Sequence, residues 1–271
     1  MRVIRVFPRR TKATPIDSSA YIGSPDLFAE ADSVHISVTF TYDLQMAEIL
    51  ATEWKHVAPV EIGGPGVGTF GNDFTPGMYL KPGYVITSRG CPNTCWFCEV
   101  WKRDGNIREL PITEGYNVLD DNLFACSDEH IKAVFRMLQK QPQKAEFTGG
   151  LEAVRLKPWH VEELYKLKPK QMFFAYDTWD DLEPLIEAGR LLLAGGFTTR
   201  SHVLRCYVLI GYLRDTFEDA ETRLRETITA GFFPMAMLYR DKVGQYDKEW
   251  RQFQRQWARP EIIAAKIKEK K

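Results

Sequence analysis

The sequence predicts an α/β protein in which a partial barrel of six β/α units follows a small N-terminal α/β unit. Three observations support this. From about residue 83, short apolar segments alternate with longer segments of helical periodicity. Most of these strand-like segments end in glycine or a polar residue, which is typical of the active-site edge of a parallel barrel. Before residue 83, the order strand, helix, strand indicates one parallel βαβ piece.

The predicted N-terminal unit spans residues 1–82. Its expected elements, in chain order, are a strand at 2–7, a strand at 34–40, a helix at 43–54 and a strand at 60–62. Asp43 is suited to cap the helix, whose apolar residues recur at helical spacing. The last strand runs into residues 63–83, a segment rich in Gly and Pro that is expected to be a linker.

The predicted barrel spans residues 83–245, and a charged helical tail follows at 246–271. Six strands are expected, at 84–88, 116–119, 145–148, 172–176, 203–210 and 235–238. Helices are expected at 128–139, from Pro158 onward, at 180–194 and at 217–230. Because a closed barrel of this kind has eight strands, six strands predict a barrel that is open on one side and accessible to a large substrate.

The composition is that of an ordinary globular protein, with 271 residues of which 44% are hydrophobic and 27% charged. With 36 basic and 36 acidic residues, the net charge is zero, which excludes a global attraction to nucleic acid or an anionic membrane. Five Lys or Arg within residues 1–12 leave two alternatives, a local basic patch or a solvated edge strand. Without a long apolar run or a signal peptide, a cytoplasmic location with no membrane partner is expected.

The cysteines give the most specific signal in the chain. Five are present, and in a cytoplasmic protein they favour metal binding or catalysis over disulfides. Cys91, Cys95 and Cys98 lie in one predicted loop directly after a strand. Their thiolates are soft ligands that suit a [4Fe–4S] cluster, and three ligands for four irons leave one iron open to a chelating molecule. A structural zinc site closes its fourth position, and the sequence offers no second Cys or His pair to do so.

The segment Cys91-x-x-x-Cys95-x-Phe97-Cys98 resembles the signature of the radical S-adenosylmethionine (SAM) superfamily. The resemblance covers roughly residues 83–240, and the full or partial (β/α) barrel of that family agrees with the strand–helix alternation. It implies a [4Fe–4S] cluster on the three cysteines, with SAM chelating the open iron. It further implies reductive cleavage of SAM to methionine and a 5′-deoxyadenosyl radical, which abstracts a hydrogen atom from a substrate.

The same resemblance implies which residues contact SAM. Many members carry Gly-Gly-Glu at a strand end, where the acid receives the SAM amino group. Here Gly149 and Gly150 are separated from Glu152 by a leucine, and Asp120 in a neighbouring turn is a rival for this role. A plain tight turn is the alternative interpretation of the two glycines.

A second segment, after the long strand, is similar to the part of the family fold that packs against adenine. It contains Ile210 and Gly211, and Asp215 replaces the usual Glu. Residues 210–221 also resemble the branch that contains cobalamin-dependent and methylthio-transferring members.

The N-terminal unit is similar to a shortened form of the Rossmann-like domain that precedes the barrel in that branch, and residues 60–68 resemble a piece of it. It lacks the Asp-x-His-x-x-Gly motif of a cobalamin ligand. No cysteine precedes Cys91 to hold a second cluster. Cobalamin is therefore not supported by a ligand motif, and binding without a histidine ligand stays an alternative.

The remaining candidates are chosen by position. Cys126 follows a strand end on the expected active-site face, and the hypothesis is that it donates a hydrogen atom or carries a methyl group. Cys206 lies inside an apolar strand and is expected to be a small core residue. Residues at two further strand ends are candidate substrate contacts by position: Tyr176, Asp177, Tyr239, Arg240 and Asp241. The five histidines show no metal spacing and are expected at the surface.

Together these features predict a radical SAM enzyme whose substrate is unidentified and can be a small molecule, a peptide or a nucleic acid. The expected partners are SAM and a reductase such as a flavodoxin or a ferredoxin. The alternative, from a different class, is an interaction protein that holds zinc or a cluster and does not cleave SAM.

Overall fold

The computed structural model shows an α/β protein with two parallel sheets, which confirms the α/β class that the sequence predicts. It describes residues 2–68, 77–241, 243–258 and 260–268. Part of the predicted linker, 69–76, and the end of the predicted tail, 269–271, lie outside the described residues. None of the described helices is both long enough and apolar enough to span a membrane.

The N-terminal unit is a four-stranded parallel sheet covered by one helix. Its elements are β1 (Val3–Phe7), β2 (Ala20–Ile22), β3 (Ser33–Ser37), α1 (Leu44–Trp54) and β4 (Val60–Gly63). The strands pair in the order β2–β1–β3–β4, so β3, α1 and β4 form the predicted parallel βαβ piece. Val34 and Ile36 of β3 are buried against Trp54 of α1 in the core of this unit. Sequence analysis misses β2, because three residues are too few for an alternating pattern.

The strand predicted at 84–88 forms as two separate pieces. Strand β5 (Tyr84–Val85) joins the second sheet, whereas β6 (Ser88–Arg89) pairs antiparallel with β7 (Arg108–Glu109). Between β6 and β7 lie three of the cysteines and a short helix, α2 (Val100–Arg103). The two short strands carry no apolar alternation, so the sequence does not predict their pairing.

The second sheet contains six parallel strands that pair in chain order. After β5 these are β8 (Asn117–Val118), β9 (Glu146–Phe147), β10 (Gln171–Ala175), β11 (Leu204–Ile210) and β12 (Phe233–Leu238). All six occur where the sequence predicts them, although the first three are shorter than expected. Strands β5 and β12 are the two edges of the sheet.

Helices follow the strands from β8 onward. They are α3 (Asp128–Gln139), α4 (Pro158–Leu167), α5 (Leu182–Ala194), α6 (Phe217–Thr229), α7 (Lys248–Gln256) and α8 (Pro260–Lys268). Ser127 and Thr216 cap α3 and α6 by accepting backbone N–H groups with their hydroxyls. The tail is two helices, and Pro260 begins the second at a position where a missing N–H costs nothing.

The helices that connect the strands share one face of the six-stranded sheet. Strands that pair in chain order through right-handed connections keep their helices on the same side. Phe174 and Val208 on this side are buried in one core with Leu185 of α5 and Leu224 of α6.

Helix α5 approaches the end of α6 through Gly189. A Cβ atom at this position would lie 1.9 Å from the carbonyl oxygen of Ala230 and 3.1 Å from the ring of Phe232. A backbone carbonyl cannot move aside as a flexible side chain can, so the close approach requires glycine.

We expect Gly189→Ala to lower the free energy of unfolding by about 2 kcal/mol, because the added methyl group overpacks this contact. Urea denaturation followed by circular dichroism measures the change. Glu187→Ala, on the exposed side of the same helix, is the control and should leave the stability nearly unchanged. Equal stability of Gly189→Ala and the parent would contradict the close approach.

Candidate functional site

The cysteine loop, residues 90–107, is fixed at its base where β6 meets β7. Gly90 has a φ of +88°, which favours glycine, and a Cβ there would collide with the opposite side of the loop. The Cys91 N–H donates to the Gly105 carbonyl at 3.0 Å. The Gly90 N–H donates to the Asp121 carboxylate at 3.0 Å, and Arg89 pairs with that carboxylate at 3.4 Å. The loop therefore leaves the sheet in one defined direction.

Inside the loop, hydrogen bonds form a tight turn around two of the cysteines. The Cys98 N–H donates to the Cys95 carbonyl at 3.1 Å. The indole N–H of Trp101 donates to the same carbonyl at 2.9 Å. These two hydrogen bonds to the Cys95 carbonyl hold the turn closed, so Cys95 and Cys98 are close in space as well as in sequence.

One carboxylate ties the cysteine loop to the ends of β8 and β9. Glu152, which follows β9, accepts hydrogen bonds from Asn93 in the loop at 2.8 Å and from Asn122 after β8 at 2.6 Å. The amide of Asn122 also lies 3.4 Å from the Cys91 sulfur. The structure therefore brings together Cys91 and the acid of the Gly-Gly-x-Glu segment, as the sequence predicts for a shared site.

The loop also reaches the far side of the sheet. Trp96 packs edge-on against Tyr212, which follows β11, with the ring centroids 5.4 Å apart. It also contacts Tyr239, which follows β12, at 6.0 Å. Trp96 itself is 52% exposed, so it forms the outer surface of this contact. The cysteine loop thus lies over the carboxyl ends of strands from both halves of the sheet.

Two of the three loop thiols, Cys95 and Cys98, lie in surroundings that disfavour their charged form. All three are free, and each is partly exposed. Burial raises the pKa of Cys95 to about 11, and the negative charges of Cys98 and Cys91 add to the effect. Burial likewise raises the pKa of Cys98. A bound cation would reverse this balance, so metal binding here releases protons.

Among the described residues, no three His, Cys, Asp or Glu side chains converge as ligands of a single metal ion. A [4Fe–4S] cluster makes a different demand, because each cysteine binds a separate iron atom. Cys91, Cys95 and Cys98 share one partly exposed loop, and their soft thiolates match that cluster in donor chemistry.

The surroundings of Asn122 fit a ligand that donates hydrogen bonds. Its side-chain oxygen is buried and has no hydrogen-bond partner. Beside it, the Glu152 carboxylate is an acceptor that accepts from both asparagine amides. Glu152 also pairs with Arg155 at 2.5 Å. An ammonium group placed here would meet the Asn122 oxygen and would share the carboxylate with Arg155, which is compatible with the amino group expected of SAM.

Asp120, the rival for the SAM contact, is directed into the protein and is 1% exposed. Its two oxygens accept hydrogen bonds from the Thr87 N–H and hydroxyl, both at 2.6 Å, and from the Ser88 hydroxyl at 2.7 Å. Burial raises its pKa, and these hydrogen bonds oppose that rise. Asp120 therefore anchors the segment that leads into the cysteine loop.

The two glycines allow β9 to end close to the turn after β8. A Cβ on Gly149 would lie 2.2 Å from the carbonyl oxygen of Asp120, and one on Gly150 would lie 2.6 Å from that of Asp121. Both glycine N–H groups donate to carbonyls of the neighbouring segment. The two glycines therefore make room for a neighbouring backbone segment and not for a ligand, which matches the tight-turn interpretation. This close approach brings Glu152 beside Asn122.

Gly211 ends β11 with a φ of +74°, and Trp250 of α7 covers the position that its Cβ would occupy. Ile210 is fully buried in the core. The Gly211 N–H donates to Asp215 at 2.7 Å, and Asp215 pairs with Arg223 at 3.0 Å, with both side chains 0% exposed. Burial raises the pKa of Asp215, and the Gly211 N–H and Arg223 oppose it. Asp215 thus fixes the turn after β11.

Asp177, predicted as a substrate contact, lies at the end of β10. The Leu209 N–H donates to it at 3.1 Å. Burial, and then the charge of Asp181, raises the pKa of Asp177 to about 7. Both carboxylates are near enough to Cys95 to raise the pKa of that thiol. The Tyr176 hydroxyl, by contrast, donates to Glu226 at 2.6 Å on the helix side of the sheet, so Tyr176 does not face this site.

The cysteines outside the loop differ in environment. Cys206 is fully buried in β11, as predicted. Cys126 is partly exposed after β8, and burial raises the pKa of its thiol to about 11. Two histidines are buried, so their predicted surface location is wrong: His130 is 8% exposed and His160 0%. His160 stacks on Phe124 at 4.5 Å, and burial lowers its pKa to about 4.

Sequence reasoning misses Asn93 and Arg223, and in the turn at 120–122, the rival for the SAM contact, it singles out Asp120 and not Asn122. Asn93 lies between the first two loop cysteines, and its position there is the signal that could have identified it. Arg223 gives no signal, because a helix with several arginines does not reveal which one is buried.

The N-terminal unit offers no feature among its described residues that marks a cobalamin site. His35 in β3 contacts the Tyr79 hydroxyl at 2.6 Å through its Nδ1. In the glycine-rich turn after β4, a Cβ on Gly64 would lie 2.7 Å from the Val38 carbonyl oxygen. Gly64 therefore allows the backbone after β4 to approach the backbone at Val38.

Comparison with known proteins adds no assignment. A scan against protein-family models finds no match, and a search of curated proteins finds none either.

We expect Cys126 to react slowly with iodoacetamide near neutral pH, because only the thiolate reacts and a pKa of about 11 leaves about one thiolate in a thousand at pH 8. The rate should rise about tenfold per pH unit up to pH 10. Peptide mass spectrometry follows the reaction. Met46→Cys, exposed on α1, is the control, and its rate should level off above about pH 9. A plateau for Cys126 at the same pH would contradict the buried thiol.

Proposed function

We propose that this protein is a radical SAM enzyme that holds a [4Fe–4S] cluster on Cys91, Cys95 and Cys98. One observation carries the proposal: the three cysteines lie in a loop over the carboxyl ends of the parallel strands, joined through Asn93 and Asn122 to Glu152. Ligands of parallel β/α folds bind at that edge. The donor chemistry suits the cluster, and Glu152 suits the amino group of SAM.

We further propose that the six-stranded sheet is curved into a partial barrel. In a flat sheet, β5 and β12 would be about 24 Å apart, since neighbouring strands lie about 4.8 Å apart. A curved sheet shortens the path over which the cysteine loop carries Trp96 to Tyr212 and Tyr239, which follow β11 and β12. Pairing in chain order with helices on one face supports the same curvature.

Cys91, Cys95 and Cys98 would hold the cluster, which would supply the electron for reductive cleavage of SAM and so for abstraction of a hydrogen atom from the substrate. The chain's own residues prepare the site. Glu152 and the Asn122 side-chain oxygen would accept the hydrogen bonds of an amino group. Trp96 covers the loop from outside and limits the entry of water, which tunes the potential of an iron–sulfur site.

Glu152 is a better candidate than Asp120 for the SAM contact. Glu152 is partly exposed in the site, where it accepts from two asparagine amides and pairs with Arg155, whereas Asp120 is buried and its oxygens are occupied by Thr87 and Ser88. Gly149, Gly150, Ile210 and Gly211 contribute by shaping the turns at this edge.

We propose Cys126 as a hydrogen-atom donor to a substrate radical. Its raised pKa means that the protonated thiol prevails at neutral pH, and the S–H bond is what such a role requires. The reductase and SAM remain the proposed partners, and no step is assigned to cobalamin.

The first test is anaerobic reconstitution with iron and sulfide, followed by dithionite, SAM and chromatography for 5′-deoxyadenosine. We expect the parent to form it and Cys95→Ala to lose at least a hundredfold in rate, because a lost ligand destabilises the cluster. Cys206→Ala, which removes a cysteine from the core strand instead, is the matched control and should retain cluster and activity.

The outcomes separate the alternatives. A protein that takes up zinc and no iron would overturn the proposal and favour the interaction protein. A full cluster without 5′-deoxyadenosine, also in the presence of candidate substrates, would favour a cluster-holding protein that does not cleave SAM.

A second test separates Glu152 from Asp120. We expect Glu152→Gln to raise the KM for SAM by about tenfold or more with unchanged iron content, because a charge-assisted hydrogen bond contributes about 1.5–3 kcal/mol. Asp120→Asn should instead lower thermal stability, since it weakens the anchor on Thr87 and Ser88. An unchanged KM in Glu152→Gln would remove this residue from the SAM site.

A further inference from the structure

The face of the six-stranded sheet opposite the helices is partly uncovered. Alternation along β10, β11 and β12 directs Ala175, Leu209, Met235 and Met237 to this face, and we call these four residues the open wall. The strand register places Met235 beside Tyr207 and Met237 beside Leu209. Parallel sheets are ordinarily covered on both faces, so exposed apolar side chains here need an explanation.

The lower end of this face is already filled. Phe173 and Tyr207 stack with their ring centroids 4.3 Å apart and their planes 13° from parallel. The guanidinium of Arg205 lies 5.6 Å from the Phe173 ring centroid and its Nε donates to the His202 carbonyl, away from the wall. The aromatic pair therefore forms a floor.

Above the floor, the open wall is accessible. Ala175 is exposed, and Met235 and Met237 are 37% and 42% exposed. Methionine side chains are flexible and polarisable, and they adapt to apolar surfaces of varied shape. The small side chain of Ala175 leaves room between them and the rest of the sheet.

The open wall continues into the candidate site. Asp177 is the next residue of β10 in the same alternation, and the N–H of Leu209 donates to its carboxylate at 3.1 Å. That carboxylate and Asp181 are close enough to Cys95 to act on its thiol. A molecule on the wall would therefore lie between the aromatic floor and the cysteine loop.

The charges around the wall select against anions. Among the described residues of β10, β11 and β12, Arg205 is the only basic one, and it belongs to the floor. Arg223 is 0% exposed and paired with Asp215. The charged groups at the upper end are the acids Asp177 and Asp181. A phosphate or carboxylate on the wall would meet repulsion from these acids and no cation from the strands themselves, and the guanidinium of Arg240, just beyond β12, stacks on Tyr42 and Tyr246.

We propose that the part of the substrate that enters this site is an apolar or aromatic group without negative charge, bound on the open wall. The proposal rests on the proposed function, because it takes the wall as the place where the hydrogen atom is removed. The proposal narrows the substrate class, because any phosphate groups of a larger substrate would have to lie away from the open wall.

The test uses the full chain, without cluster or SAM, carrying the substitution Met237→Cys, which places a cysteine on the open wall. Its reaction with neutral, cationic and anionic methanethiosulfonate reagents is followed by peptide mass spectrometry, which separates position 237 from the native cysteines. Met46→Cys, on the exposed side of α1, is the matched control. At pH 8.5, where Asp177 is ionised, we expect the ratio of anionic to neutral rates to be about fivefold lower at position 237, because the Asp177 carboxylate accepts from the N–H of Leu209, the register partner of residue 237.

Two results would overturn the proposal. One is no reaction of position 237 with the neutral reagent, which would mean that the wall is covered. The other is an anionic-to-neutral ratio equal to or above that of Met46→Cys. If Met237→Cys does not fold, Met235→Cys carries the same expectations. Because labelling needs no cluster, a negative 5′-deoxyadenosine assay with normal labelling would identify failure of the proposed function alone.

Discussion

The carboxylate of Glu152 is the contact on which the candidate site depends. It accepts from Asn93 in the cysteine loop and from Asn122 after β8, while its own backbone follows β9. Three segments that are distant in sequence are therefore held by one side chain, through charge-assisted hydrogen bonds in a partly buried position. The glycines before it allow the backbones to come close enough for these contacts.

The electrostatics of the site favour a cation. Burial and neighbouring negative charges keep the Cys95 thiol protonated, and Asp177 and Asp181 contribute to the same effect. Groups of like charge in a poorly hydrated place destabilise one another until a positive charge joins them. Without a metal, this arrangement lowers the stability of the folded protein, and a bound metal ion would remove that loss. Such coupling between metal binding and stability is typical of metal centres.

The sequence predicts the strands of the large sheet well, and it predicts the contacts among the segments that follow those strands less well. The strands around Cys206 and Met172 are recognisable because apolar runs that alternate with helical segments are typical of buried parallel strands. Strand β2 and the β6–β7 pair are too short to carry periodicity, so only tertiary contacts define them. The distinct roles of Glu152 and Asp120 depend on which neighbour each carboxylate finds, and neither composition nor spacing contains that information.

The contacts of Trp96 bear on when the site is complete during synthesis. The cysteine loop leaves the ribosome early, whereas Tyr212 and Tyr239, its partners at the far edge, leave it much later. Each β/α unit can fold on the previous one as it emerges, because neighbouring strands are consecutive in the chain. Trp96 therefore lacks both of these contacts until β12 has formed, so we expect the proposed cluster to be inserted after translation has ended.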